Sequence, residues 1–200
     1  MNIQRLKNAR IYFLLATILF ALPSFLSFYQ GHAGKILIAT EQLSADPNFT
    51  QTVIYIFDHS VWGAQGIILN RPRQSPDLKE RLFVDQDVTF YKGGPVAFPE
   101  MRLVAMNRLN AISHWRTQGL YIVPYKKFKK LFPEDSEKPF DIYLGYSGWK
   151  PGQLEKEIRN DMWVVEEYSA EILDNSQRQT LWARLLENHE ETMKFEKVNQ

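Results

Sequence analysis

The chain has 200 residues, of which 44% are hydrophobic and 24% charged, with 24 Lys and Arg against 23 Asp and Glu and a formal charge of +1. Beyond residue 33 the balance is 21 basic to 23 acidic side chains, a net of −2, which excludes the one-signed basic profile of a nucleic-acid binder. The lack of any cysteine excludes disulfides and thiolate zinc sites and is compatible with an oxidising compartment.

Arg5, Lys7 and Arg10 precede a run over 11–29 that carries no charge and is rich in Leu, Phe and Ile. A bilayer core needs roughly twenty such residues, so the run predicts an N-terminal hydrophobic helix directed to a membrane. It contains Pro23 and ends at Gly31-His32-Ala33, a small-x-small pattern that a signal peptidase accepts, so a cleaved signal and a retained anchor both fit. The length of the run and the poor fit of His32 favour the anchor. Basic residues before the run and only Lys35 close after it keep the N-terminus cytoplasmic and export the domain. The expectation is therefore a leader over 1–33 and one domain over 34–200. In a bacterium this is a single-pass inner-membrane protein with a periplasmic domain, or a periplasmic protein after cleavage.

In the domain, 36–39, 52–57 and 66–69 are short β-branched and aromatic runs bounded by turn formers such as Asp46-Pro47 and Asn70-Arg71-Pro72, and they predict strands. Ser75-Pro76-Asp77 starts a short helix to about Leu82. A further strand precedes Gly93, others cover 103–106, 119–123 and 140–144, and a helix spans 125–132. Its Lys126, Lys127, Lys129 and Lys130 are followed at once by Glu134, Asp135 and Glu137, which reads as a solvated face and not as a phosphate-binding one. After a helix that opens at Pro151, 162–166 predicts a strand. A helix capped by Ser176 puts Leu181, Trp182, Leu185 and Leu186 on one face for core packing. This order predicts a mixed α/β fold, a sandwich or partly closed barrel with flanking helices.

The corner at 145–158 is the most distinctive stretch. Pro151 suits the first helical position, Leu154 and Ile158 form an apolar pair four residues apart, and Glu155 and Arg159 a charged one. That register puts Lys150, which has no side-chain acceptor, at the N-cap. Either the Ser147 hydroxyl folds back as a cap or an anion sits at the helix N-terminus. The spacing of Gly145, Ser147 and Gly148 departs from the Gly-x-Ser-x-Gly elbow of serine hydrolases, because Trp149 stands where the second glycine belongs.

Histidines at 32, 59, 114 and 189 show no metal-ligand spacing, and no phosphate-binding glycine fingerprint occurs, so no metal or cofactor is expected. His59 beside Asp58 is the best acid/base candidate. Gly93-Gly94-Pro95 and Gly63-Ala64 read as tight turns. A functional alternative converges Asn70, Arg71, Gly93, Gly94, Ser147, Gly148, Trp149 and Gln153 on one cleft, with Arg71 and neutral donors meeting a carboxylate or phosphate ligand.

Three blocks in order resemble the AlgH/YqgE family. They are 34–39 with Asp46-Pro-Asn-Phe49, His59 and Gly63 to Pro72; Gly93-Gly-Pro-Val96; and Gly145-Tyr-Ser-Gly-Trp-Lys-Pro-Gly-Gln-Leu-Glu155 with Trp163. The resemblance covers residue 34 to the end. It implies a bifurcated sheet folded toward a pseudo-barrel, and it carries the label of transcriptional regulator. The chain departs from the family pattern at Glu41, where a proline is usual, near Ser44, where a residue is added, and around 104–106, where a histidine is missing.

Three functions fit these observations. The first is a non-enzymatic binding module, exported or tethered to a membrane through 11–29, that takes an unknown protein or a small anionic ligand. The second is a hydrolase using Ser147 and His59. The third is a cytoplasmic transcriptional regulator, to which the charge profile is unfavourable.

Overall fold

Most strands of this chain are apolar on both of their alternating faces, and such strands need cover on both sides. The computed structural model describes residues 31–74, 89–98, 102–107, 120–131, 141–169, 172 and 178–199. In chain order the elements are β1 (Lys35–Ala39), a 3-10 turn (Glu41–Leu43), β2 (Val53–Ser60), β3 (Gly63–Ile68), β4 (Pro72–Arg73), β5 (Thr89–Lys92), β6 (Arg102–Asn107) and β7 (Leu120–Pro124). They continue with α1 (Tyr125–Leu131), β8 (Asp141–Leu144), β9 (Ser147–Trp149), α2 (Gln153–Arg159), β10 (Trp163–Glu167) and α3 (Leu181–Val198). One sheet has the order β10-β1-β2-β3-β9, all antiparallel, and the other β4-β5-β8-β6-β7, in which only β5 and β8 run parallel.

The period of two assigns each face. Ile36, Ile38, Val53, Tyr55 and Ile67 of the first sheet join Tyr91, Leu103, Leu120 and Tyr143 of the second in one cluster, closed by Leu181 of α3. Leu37, Ala39, Ile54, Ile56 and Ile68, one residue out of phase, form a second cluster with Leu154 of α2, Trp149 and Trp163. Phe90, Val104, Val123, Ile142 and Leu144 form the third with Tyr125 and Phe128 of α1. Each fully buried aliphatic side chain contributes about 1.5–3 kcal/mol, so a strand slipped by one residue would exchange two cores at once.

Polar groups tie the sheets where they meet. The Tyr55 hydroxyl donates to Leu120 O and accepts from Leu120 N–H (3.4 and 3.3 Å). Arg178, 3% exposed, donates to Leu69 O, to the Tyr143 hydroxyl and to Asp141 Oδ2 at 2.8–2.9 Å, with its guanidinium over the Tyr91 ring. Burial raises the Asp141 carboxyl above the usual range against the pull of Arg178, and burial likewise raises the Tyr143 hydroxyl.

The expected mixed α/β fold with flanking helices is present, and of the two arrangements expected, a sandwich or bifurcated sheet and a partly closed barrel, no closed barrel is found: among the described residues the strands form two separate sheets. They meet at a corner where Ile68 N–H donates to Gly93 O (2.8 Å) and where the chain changes sheet twice, from β3 to β4 and from β8 to β9. Among the described residues β9, β10, β4 and β7 end their sheets without pairing with one another. The helix expected over 75–82 and the hydrophobic run over 11–29 lie outside the described residues, and the helix expected from a Ser176 cap, a residue also outside them, begins at Leu181 with Thr180 as its N-cap. Among the described residues no helix is long and apolar enough to cross a membrane.

Candidate functional site

Three glycines, Gly93, Gly94 and Gly145, make the corner. A Cβ on Gly93 would stand 2.5 Å from Gly145 O, one on Gly94 2.1 Å from the Tyr146 carbonyl carbon, and one on Gly145 2.6 Å from Gly94 O. Backbone meets backbone here, and Val96 with Tyr146 seals the contact by a pair of hydrogen bonds of 2.9 and 3.0 Å. Gly148 differs. Its φ is ordinary, it is exposed, and an added Cβ would find nothing nearer than 3.5 Å.

The helix after the corner starts later than its sequence suggests. Lys150-Pro151-Gly152-Gln153 is a type II turn, with Gln153 N–H donating to Lys150 O (3.0 Å), proline at the second place and Gly152 at φ 73°, ψ −3° at the third. Pro151 is thus a turn residue, Gly152 is the N-cap, and α2 has seven residues. The Ser147 hydroxyl is no cap, since Ser147 is fully buried and its Oγ donates to Gly93 O (3.4 Å). Gln153 Oε1 accepts from Lys150 N–H (3.1 Å) instead. The apolar pair holds, with Leu154 fully buried and Ile158 beside it, and Glu155 Oε1 lies 3.1 Å from His59 Nε2.

The residue that organises this corner escaped the sequence reading. Glu157 Oε2 accepts from both Trp149 Nε1 and Trp163 Nε1 at 2.8 Å, and its Oε1 accepts from Gln153 Nε2 at 2.9 Å. The two indoles meet edge to face, centroids 6.2 Å apart, and Phe49 packs on both. The available signal was the spacing of Gln153 and Glu157 on one helix face between two tryptophans.

Asn70 and Arg71 serve the loop that carries Phe49. Asn70 Oδ1 accepts from Val53 N–H and its Nδ2 donates to Gln51 O, both at 2.9 Å. Arg71 donates to Pro47 O (2.9 Å) and Thr50 O (2.8 Å), and burial lowers its pKa. A strained Gln51, at φ 53°, shows how tightly this loop turns. The corner therefore brings Gly93, Gly94, Ser147 and Gly148 into one place, and Trp149 and Gln153 onto Glu157. Asn70 and Arg71 reach that group through Phe49.

His59 sits apart, its side chain 1% exposed. Its Nδ1 accepts from His32 N–H (2.8 Å), which puts the ring proton on Nε2, and Nε2 lies 3.1 Å from Glu155 Oε1. The His32 ring stacks on it, and burial first, then His59 and Lys35, hold His32 below its ordinary pKa. Among the described residues no hydrogen bond joins Ser147 to His59, and no three His, Asp or Glu side chains are placed to hold a metal ion.

A profile described as AlgH-like matches residues 36–194. A UPF0301 protein of Pseudomonas fluorescens is 34% identical over 159 residues, covering 71% of this chain and 80% of that protein. One from Bacteroides thetaiotaomicron is 29% identical, covering 77% and 81%. The solution structure of the AlgH protein from Pseudomonas aeruginosa matches with a TM-score of 0.57 at 29% identity, over 73% of this chain and 82% of that one. The crystal structure of a Corynebacterium diphtheriae protein, 20% identical with a TM-score of 0.58, shares the fold. The chain belongs to the AlgH-like family, for which none of these relatives establishes a function.

Proposed function

We propose that this AlgH-like domain is a binding module, held at the outer face of a membrane by residues 11–29, whose contact surface is the open side of the glycine corner. The observation that carries the reading is Gly148. Its neighbours Gly93, Gly94 and Gly145 are demanded by close backbone contacts of 2.1–2.6 Å, whereas neither contact nor conformation within the domain demands a glycine at 148. An exposed, side-chain-free position on the edge strand β9 lets another backbone approach closely. Val96, 37% exposed, flanks it, with its Cγ2 3.7 Å from where a Gly148 Cβ would stand. The partner is a protein segment that lies along β9. The absence of any charge in 11–29 supports the tether.

Chemistry by Ser147 and His59 is the less favoured reading, because the hydroxyl points at a backbone carbonyl and both ring nitrogens have partners. Regulation of transcription needs a cytoplasmic domain and a coherent basic face, and the net charge of −2 beyond residue 33 gives it little support.

The test uses a photo-crosslinking side chain at Val96 in the full-length chain, with and without Gly148→Arg. A discrete adduct that Gly148→Arg removes, while the fold persists, supports the reading; an adduct indifferent to Gly148→Arg refutes it. A C-terminal alkaline phosphatase fusion reports the side of the membrane, and lack of phosphatase activity would remove the exported placement.

A further inference from the structure

Helix α3 begins as a packing helix and continues as something else. Leu181, Arg184, Leu185, Asn188, His189 and Thr192 recur at spacings of three and four, so they share one face. Leu181 is fully buried and Leu185 packs on the first cluster, yet the other four are polar, which is not the composition of a stripe that only fills a core. Strand β10 lies opposite. Its Glu166 is the register partner of Ile36 and stands two residues beyond Val164, which packs on the same cluster, so the period of two turns this carboxylate toward α3. There His189 Nδ1–H donates to Glu166 Oε1 (2.6 Å).

Between the helix face and the β1–β10 edge lies a cavity of about 290 Å³. That is just below the roughly 300–1,000 Å³ of drug-sized sites, so it suits a small molecule. Ile36, Ile172 and Leu185 give it an apolar floor, and Arg184, Asn188 and Thr192 supply polar walls. The charges around it are unequally matched. Glu166 has His189, and Glu167 has Lys35 at 2.7 Å, whereas no ion pair engages Arg184 among the described residues. Arg184 Nε is moreover buried and without a hydrogen-bond partner among them. A buried donor cut off from water and from protein acceptors is destabilising, and an acceptor brought from outside relieves it. Two carboxylates nearby disfavour a dianion, while the planar guanidinium fork matches a single carboxylate.

We propose that this cavity binds a small aliphatic monocarboxylate, its carboxylate on Arg184 and its hydrocarbon over Ile36, Ile172 and Leu185. The site shares no residue with the glycine corner and requires neither the β9 surface nor the membrane tether. Isothermal titration calorimetry of the full-length chain in dodecylmaltoside micelles tests it with butyrate, isovalerate and hexanoate, and with isovaleramide and inorganic phosphate as controls. The expected result is saturable binding within the carboxylate series and none of either control. Arg184→Gln should weaken that binding about tenfold or more, the loss of one charge-assisted contact. Thr192→Trp, at an exposed position on the wall, should abolish it while the far-ultraviolet circular dichroism stays that of the parent. Carboxylate binding that neither substitution changes overturns the location. Phosphate or isovaleramide binding as tightly as isovalerate overturns the ligand class, and absence of saturable binding across the series overturns the site.

Discussion

Replacing Glu157 with leucine tests whether one carboxylate holds the corner. Trp149 and Trp163 are 6% and 3% exposed, and both aim Nε1 at the same Glu157 oxygen, so an apolar residue would strand two donors with little access to water. Stranding a buried donor costs roughly 1–3 kcal/mol, and each bond to a charged acceptor contributes about 1.5–3. Glu157 is itself only half-buried, so some water enters, and the loss expected for Glu157→Leu is about 4 kcal/mol. Glu157→Gln keeps a neutral acceptor for the indoles but opposes a second amide to Gln153, so its expected loss is about 2 kcal/mol. Urea unfolding of the full-length chain, followed by far-ultraviolet circular dichroism, measures both. A Glu157→Leu protein within about 1 kcal/mol of the parent, or one more stable than Glu157→Gln, would refute the assignment.

Arg178→Met leaves Asp141 buried without its cation, and chemical denaturation should show a loss of about 3–5 kcal/mol, partly restored by adding Asp141→Asn. Gly94→Ala forces a Cβ into the Tyr146 backbone and is expected to cost more than about 4 kcal/mol, whereas Gly148→Ala should stay within about 0.5; thermal melts of the two variants separate them. His32 takes up its proton at lower pH when folded than when unfolded, so the unfolded chain binds more protons just below pH 6.5 and stability should decline as the pH falls through that range. His32→Ala retains the backbone N–H that His59 accepts and should flatten that part of the profile.

The apolar period made much of the fold legible. The strands at 36–39, 52–57, 103–106, 119–123 and 140–144 appear within a few residues of their expected ends because β-branched runs between turn formers have little alternative. Strands β4 and β9 escaped notice, since Pro72-Arg73 and Ser147-Gly148-Trp149 are short and lack that composition; their backbone pairing is imposed by Tyr91 and Gln65 opposite them. Separate sheets could not be told from a barrel by period alone, because both bury alternate residues. At the corner, composition revealed that backbone geometry was special but gave the wrong start for α2: Pro151 suits a first helical position and the second place of a type II turn equally, and Gly152 decides between them. Glu157 was hidden because its partners come from β9, α2 and β10, a convergence that only the tertiary structure brings about.

Strand β1 has a consequence for how the chain must fold. It lies between β2, which follows directly, and β10, which begins at Trp163, and its last residue Ala39 accepts a further bond from Trp182 (2.7 Å). A chain emerging from its N-terminus can zip β1 to β2 early, but the opposite side of β1 remains an unpaired edge until nearly the whole domain has been made. Contacts of such sequence separation form late and slowly. Throughout that interval a strand of Ile, Leu and Ile presents open hydrogen-bonding groups to any neighbour, so the growing chain is most exposed to misassembly along β1, and the arrival of β10 is what ends the hazard.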